Sequence, residues 1–154
     1  MELNKNFEKI YISVESQDAP VTKRLQNHFF PEQIEWVQQQ PLAEKNGMLS
    51  ATEFDRSKRQ IYIHPFKGRF FKRCPGAGPG LTCCNYFVLN LGQQCDMNCS
   101  YCYLQSFINS PIMSIYSNLD QALSELKDRK STRLNLILFI PITKILLFVS
   151  ALER

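Results

Sequence analysis

The sequence predicts an α/β fold, because short apolar segments with strand-like alternation are separated by segments with helical periodicity. The first strand is expected at residues 10–14, where "IYISV" alternates between apolar and polar positions. "DAPVTKRLQNHFF" then predicts a helix, with Asp18 as its cap and Pro20 in its first turn. The apolar face of this helix is formed by Val21, Leu25 and Phe29.

Two further strands complete a small N-terminal α/β domain over residues 1–73. They are "QIEWVQ" at Gln33–Gln38 and "RQIYIH" at Arg59–His64. The chain has 154 residues and is 44% hydrophobic, which is enough apolar material for a packed core and excludes a wholly disordered protein.

A second unit is predicted over residues 86–130, after a Cys-, Pro- and Gly-rich linker at 74–85. It begins with the apolar run "YFVLNLG" at Tyr86–Gly92, which is typical of a buried parallel strand. It ends with a helix over Asn118–Arg129, capped by Asn118 with Gln121 three residues on. Leu119, Ala122, Leu123 and Leu126 are expected to share one face of this helix. Strand, connecting loop and helix make one βα unit.

Three cysteines lie on the loop between this strand and helix, in "CDMNCSYC". Cys95, Cys99 and Cys102 have the spacing C-x3-C-x2-C, and thiolates are preferred by both iron–sulfur clusters and zinc. Three thiolates are one too few for a closed zinc site, whereas a cubane cluster would keep one iron open to a small molecule. The alternatives are a zinc site or three unrelated buried thiols.

The other three cysteines lie upstream, at Cys74, Cys83 and Cys84. Adjacent side chains on an extended chain point in opposite directions, so Cys83 and Cys84 are not expected to bind one ion. Packing or an incidental thiol is the favoured interpretation, and a second metal or redox role joining Cys74 and Cys83 is the alternative.

The start of the chain, "MELNKNFEKI", has mixed charges and no apolar stretch of the kind found in signal peptides. We therefore expect a cytoplasmic location with reduced cysteines and no association with a membrane.

The cysteine motif, with the aromatic Tyr101 just before its last cysteine, resembles the signature of the radical S-adenosylmethionine enzymes. The resemblance implies a [4Fe–4S] cluster held by Cys95, Cys99 and Cys102 and a bound S-adenosyl-L-methionine, with Tyr101 near its adenine. In this superfamily an electron from the cluster cleaves S-adenosylmethionine and yields a 5′-deoxyadenosyl radical. Catalytic residues beyond this motif stay unknown.

A longer similarity points to the spore photoproduct lyase family. It is carried by "CSYCYLQSF", "SIYSNLDQAL", "RQIYIHPFKGRFFKRCPG" and "CCNYFVLNLG", and it covers roughly residues 10–130. It implies a radical lyase that repairs thymine–thymine cross-links in DNA, a (β/α) barrel that residues 86–130 would begin, and a reductant such as a flavodoxin or ferredoxin. The alternatives are a radical enzyme with another substrate, or a non-catalytic module that binds metal or nucleic acid.

The tail at residues 131–154 departs from this family. "RLNLILFIPITKILLFVSALER" is nearly all aliphatic and predicts a buried strand followed by part of a helix. No cysteine follows Cys102, although the family has a further cysteine beyond the cluster loop. We therefore expect a truncated or frame-shifted form that is not a competent enzyme by itself.

A run of basic residues without any acid extends from Arg56 to Arg73 and contains seven cations. Aromatic residues are interleaved with them, a pattern that suits either a nucleic-acid surface or a strand with buried rings. His64 within the run is expected to be structural. Near the cysteines, Met97 is expected to shield the sulfurs, and Tyr86 and Tyr103 to pack in the core.

Overall fold

A computed structural model describes residues 7–41, 50–73, 80, 87–97, 99, 101, 110–127 and 136–137. The helices and strands within these residues are β1 Lys9–Ser13, α1 Pro20–Gln26, β2 Ile34–Val37, α2 Ala51–Ser57, β3 Gln60–His64, β4 Phe71–Arg73, β5 Phe87–Leu89, β6 Gly92–Gln93, β7 Met113–Tyr116, α3 Leu119–Lys127 and β8 Leu136–Ile137. Short 3-10 turns follow β1 and precede β2. The predicted α/β class is confirmed.

The first sheet has five strands in the order β2-β1-β3-β7-β6. Its first four strands are parallel, and β6 is antiparallel to β7. Apolar side chains of β1, β3 and β7 form a buried core with residues of α1 and the turn after it. The core members with the least exposure are Ile10, Ile12, Ile61, Ile63 and Met113. Central parallel strands have few polar positions because both of their faces are covered.

The second sheet has three strands in the order β4-β5-β8. β4 is antiparallel to β5, and β8 is parallel to β5. α3 therefore lies in the connection between the parallel strands β5 and β8. A second core forms where this sheet meets β7 and α3, and it contains Phe70, Phe71, Phe87, Leu89, Tyr116 and Ala122. The strands that the structure describes do not close into a barrel, so the predicted barrel is not confirmed.

Helix α1 begins and ends differently from the prediction. Asp18 is not its cap: Ala19 holds the N-cap position, and Pro20 starts the helix because its fixed φ suits the first turn. The helix ends at Gln26, before Phe29. Phe29 still packs in the first core, edge-on to Phe7 at 6.5 Å.

Helix α2 was not predicted, although the sequence carries a signal for it. Ser50 and Glu53 form a capping box, in which Ser50 Oγ accepts from the Glu53 amide and the Ser50 amide donates to Glu53 Oε2 at 3.0 Å. This helix matters because it delivers Lys58 to the interior of the protein.

Helix α3 agrees with the prediction in position, and the predicted pairing of Asn118 with Gln121 is present: Asn118 Nδ2 donates to Gln121 Oε1 at 2.9 Å. The Asn118 side chain also binds the backbone of Phe66, with Oδ1 accepting from its amide at 2.8 Å and Nδ2 donating to its carbonyl at 3.0 Å. Ala122 and Leu126 face the second core, whereas Leu123 is exposed. The apolar stripe is therefore narrower than the leucine spacing indicates.

The two predicted units share a sheet. β7 comes from residues 86–130 and pairs with β3 from residues 1–73, with Ile61 opposite Met113 and Ile63 opposite Ile115. This pairing connects the predicted N-terminal domain with the predicted second unit. The division between them at residues 74–85 stays a prediction. In the tail, β8 pairs with β5, and the rest of residues 131–154 lies outside the described residues.

We predict that Ile63→Ala lowers the free energy of unfolding by about 2–5 kcal/mol, because the side chain is fully buried in the central strand and its removal leaves a cavity. Val14→Ala is the matched control, because Val14 is half exposed and should change stability by less than about 0.5 kcal/mol. Urea unfolding measures both. Equal losses in the two variants would contradict this assignment of the core.

Candidate metal centre

The predicted cysteine loop leaves and re-enters the first sheet at adjacent points. β6 precedes it and β7 follows it, and these strands pair with Gly92 opposite Ile115 and Gln93 opposite Ser114. The chain therefore leaves the edge of the sheet after Gln93 and rejoins it at Met113, and both of these ends are fixed by backbone pairing.

Gln94 fastens the base of this loop. Its side chain is 3% exposed; Oε1 accepts from the Cys95 amide and Nε2 donates to the Ser110 carbonyl, both at 3.1 Å. Ser110 Oγ in turn accepts from Gln40 Nε2 at 2.6 Å. The Gln94 backbone has φ of 70°, a left-handed conformation that costs a non-glycine residue about 1–2 kcal/mol. The sequence gives no signal for this residue.

Two of the three predicted ligands lie within the described residues. Cys95 and Cys99 are both half-buried. Cys102 lies outside the described residues, as do Cys74, Cys83, Cys84, Tyr86 and Tyr103. Among the residues that the structure describes, no group of three or more His, Cys, Asp or Glu side chains is gathered as a metal site.

The surroundings of Cys95 suit a thiolate that binds a metal. The Met97 amide donates to Cys95 Sγ at 3.4 Å. Hydrogen bonds from backbone amides to cysteine sulfur stabilise its negative charge and tune iron–sulfur clusters. The Asp96 carboxylate accepts from Sγ at 3.9 Å, a contact that uses the thiol proton, and a metal would replace that proton when it binds. Cys95 and Cys99 are donors of the type that fits a thiolate-bound group, and one amide is already directed at the sulfur of Cys95.

Lys58 reaches this loop from α2. Its side chain is only 3% exposed, and Nζ donates to the Met97 carbonyl at 3.0 Å. Nζ also lies 5.0 Å from the centre of the Phe54 ring, within the range of a cation–π contact. Lys58 therefore belongs to the interior beside the cysteines, and not to the basic surface where the sequence run places it.

Two residues of the loop face solvent. Tyr101, predicted to lie near an adenine, is 88% exposed, so its ring is accessible. Met97 is 59% exposed, and its amide donates to Cys95 Sγ. Shielding of the sulfurs by its thioether stays a prediction.

The basic run separates into three groups of cations. Lys58 is buried. Arg56 and Arg59 are exposed, and both pair with Glu8, at 3.2 and 3.7 Å. The other four cations are also exposed: Lys67, Arg69, Lys72 and Arg73.

The aromatic residues of the same run are mostly core residues. Tyr62 and Phe71 are strand residues with buried rings, and Phe70 is buried directly before β4. His64 stacks on Tyr62 with ring centres 4.6 Å apart and meets Tyr116 edge-on at 5.2 Å. Burial lowers the pKa of His64, against the opposing effect of its hydrogen bond with the Pro65 carbonyl. A largely neutral imidazole within an aromatic stack agrees with a structural role.

Comparison with solved structures identifies the fold. Spore photoproduct lyase with bound AdoMet and dinucleoside spore photoproduct, a double mutant, matches with a TM-score of 0.61 and 20% identity over 79% of this chain. A single mutant with dinucleoside spore photoproduct gives 0.61 and 19% over 84% of this chain. The lyase complexed with dinucleoside spore photoproduct gives 0.58 and 19%, also over 84%. The chain shares its fold with spore photoproduct lyase.

This similarity confirms the predicted resemblance at the level of fold. The chain spans 35% to 38% of the length of the lyase structures that it matches. No family model matches the sequence, and no curated protein does. No helix within the described residues is long and apolar enough to cross a membrane.

Proposed function

We propose that this chain is part of a radical S-adenosylmethionine protein of the spore photoproduct lyase type. One observation supports the proposal: the C-x3-C-x2-C motif begins at Cys95, two residues after a strand at the edge of the sheet, in a chain whose fold is similar to part of that lyase. Cys95, Cys99 and Cys102 would hold a [4Fe–4S] cluster, and the fourth iron would bind S-adenosylmethionine. When bound, these groups would supply a radical that abstracts hydrogen from the substrate.

The residues of this chain would hold and orient those groups. The Met97 amide would stabilise the Cys95 thiolate, and Gln94 would keep the base of the loop closed. The exposed ring of Tyr101 would pack against the adenine of S-adenosylmethionine. β5, α3 and β8 would form the first βα unit of a (β/α) barrel, because β5 and β8 are parallel neighbours.

The proposed substrate is DNA that contains cross-linked thymines, because the similar lyase structures hold a dinucleoside spore photoproduct. The exposed cations Lys67, Arg69, Lys72 and Arg73 support a phosphate contact. Stacking of bases on Tyr62, Phe70 or Phe71 is not part of the proposal, because these rings are buried. The proposed setting is the reducing cytosol, with a flavodoxin or ferredoxin as the electron donor.

We predict that anaerobic reconstitution with iron and sulfide gives about four irons and four sulfides per chain, together with broad visible absorption. Replacing Cys95, Cys99 and Cys102 by alanine should abolish both, because these are the proposed ligands. The matched control is Cys83→Ala with Cys84→Ala, which should keep the cluster. Equal loss in both variants, or bound zinc in place of iron, would refute this ligand assignment.

We predict that the chain binds duplex DNA with an affinity that falls steeply as salt rises. Each phosphate contact contributes about −0.9 to the slope of log K against log salt, so Lys72→Gln with Arg73→Gln should flatten the slope by up to about 1.8. The control is Arg56→Gln with Arg59→Gln, which should change this slope less, because both guanidinium groups already pair with Glu8. Fluorescence anisotropy measures the slopes. Binding that does not depend on salt would rule out this surface.

A further inference from the structure

We propose that Lys58 is a positioning residue of the cysteine loop, and that its ammonium raises the reduction potential of the group bound by Cys95. The positioning role stands on the described contacts alone. The effect on the reduction potential rests on the proposed function, because it requires a cluster at Cys95.

Lys58 is a buried residue that contacts the cysteine loop. A lysine that is 3% exposed loses most of its hydration, and such burial is costly unless the ammonium finds polar partners. The Met97 carbonyl at 3.0 Å and the face of Phe54 at 5.0 Å supply part of this compensation. The ammonium is therefore bound to the loop backbone, with little freedom to move elsewhere.

The base from which Lys58 extends is itself fixed. The Lys58 amide donates to the Phe54 carbonyl at 3.3 Å, which continues the helical pattern of α2. The next residue, Arg59, accepts from the Glu8 amide at 2.8 Å and pairs with the Glu8 carboxylate through its own side chain. β3 begins directly afterwards, at Gln60. Lys58 thus connects the loop to a fixed point at the start of β3 in the first sheet.

Met97 joins this anchor to the sulfur. Its carbonyl accepts from Lys58, and its amide donates to Cys95 Sγ at 3.4 Å. Holding one end of the residue restricts its backbone rotation and keeps the amide directed at Cys95. Without Lys58, the Met97 carbonyl would lose a charged donor, and the amide would have more freedom to turn away from the sulfur.

The charge has a separate effect on electron transfer. Reduction makes a cluster more negative, so a nearby ammonium and an amide directed at the sulfur both stabilise the reduced form. Both effects act in the same direction. Removing Lys58 should therefore shift the reduction potential to a more negative value.

The test of positioning uses the metal-free full chain under reducing conditions. We expect Lys58→Met to accelerate hydrogen exchange of the Met97 amide about tenfold or more, since this exchange reports on the amide–sulfur contact. Lys58→Arg should stay close to the unsubstituted protein. Lys67→Met, which removes an exposed lysine of the same basic run, should leave the exchange rate unchanged.

A rate of Met97 amide exchange in Lys58→Met that equals the rate in Lys67→Met would overturn the positioning role. If Lys58→Met fails to fold, the unsubstituted protein still decides the matter. A Met97 amide that exchanges there as fast as an unstructured amide would overturn the proposal, and a protected one together with retention in Lys58→Arg would support it.

The test of the charge uses the reconstituted protein in a redox titration followed by electron paramagnetic resonance. We expect the Lys58→Met cluster to be harder to reduce by about tenfold in the equilibrium constant, about 59 mV for one electron. The reduction potential of the cluster should not shift in Lys67→Met. An unshifted potential in Lys58→Met would overturn the charge effect and leave the proposed function intact. Failure of the unsubstituted chain to bind iron would overturn the proposed function, while amide exchange would still decide the positioning role.

Discussion

The pairing of β7 on both of its sides is the constraint on which the rest of the structure depends. It bonds to β3 in parallel and to β6 in antiparallel fashion, and all four of its residues are buried. Met113 and Ile115 pack in the first core, whereas Tyr116 packs in the second. One short strand thereby joins two cores and fixes the return of the cysteine loop. Loss of this strand would release the loop, and it would also separate the two sheets.

Buried polar contacts hold the described residues at the two ends of the loop. The left-handed conformation of Gln94 costs about 1–2 kcal/mol, and its two hydrogen bonds offset this at about 1 kcal/mol each. Lys58 adds a charged donor from the opposite direction. The arrangement orients Cys95 from two independent elements, which is how metal sites commonly fix their ligands.

The sequence was sufficient for the strongly periodic elements and for the thiolate motif, but not for the contacts that support it. β1, β3 and α3 follow from alternation and helical spacing. β7 was not predicted, because its burial on both faces leaves no alternation in the sequence. α2 was not predicted either, although its capping box is visible in the sequence. Lys58 reads as one more surface cation, since only the tertiary fold brings it to Met97. Local patterns cannot report a contact made across 39 positions.

The central claim is that three cysteines hold a cluster with one iron left open for S-adenosylmethionine. The most direct test is the electron paramagnetic resonance spectrum of the reconstituted, anaerobically reduced chain before and after S-adenosylmethionine is added. We expect a changed spectrum, because the amino and carboxylate groups of S-adenosylmethionine would bind the open iron next to the Cys95 loop. A cluster signal that stays the same at saturating S-adenosylmethionine would contradict it.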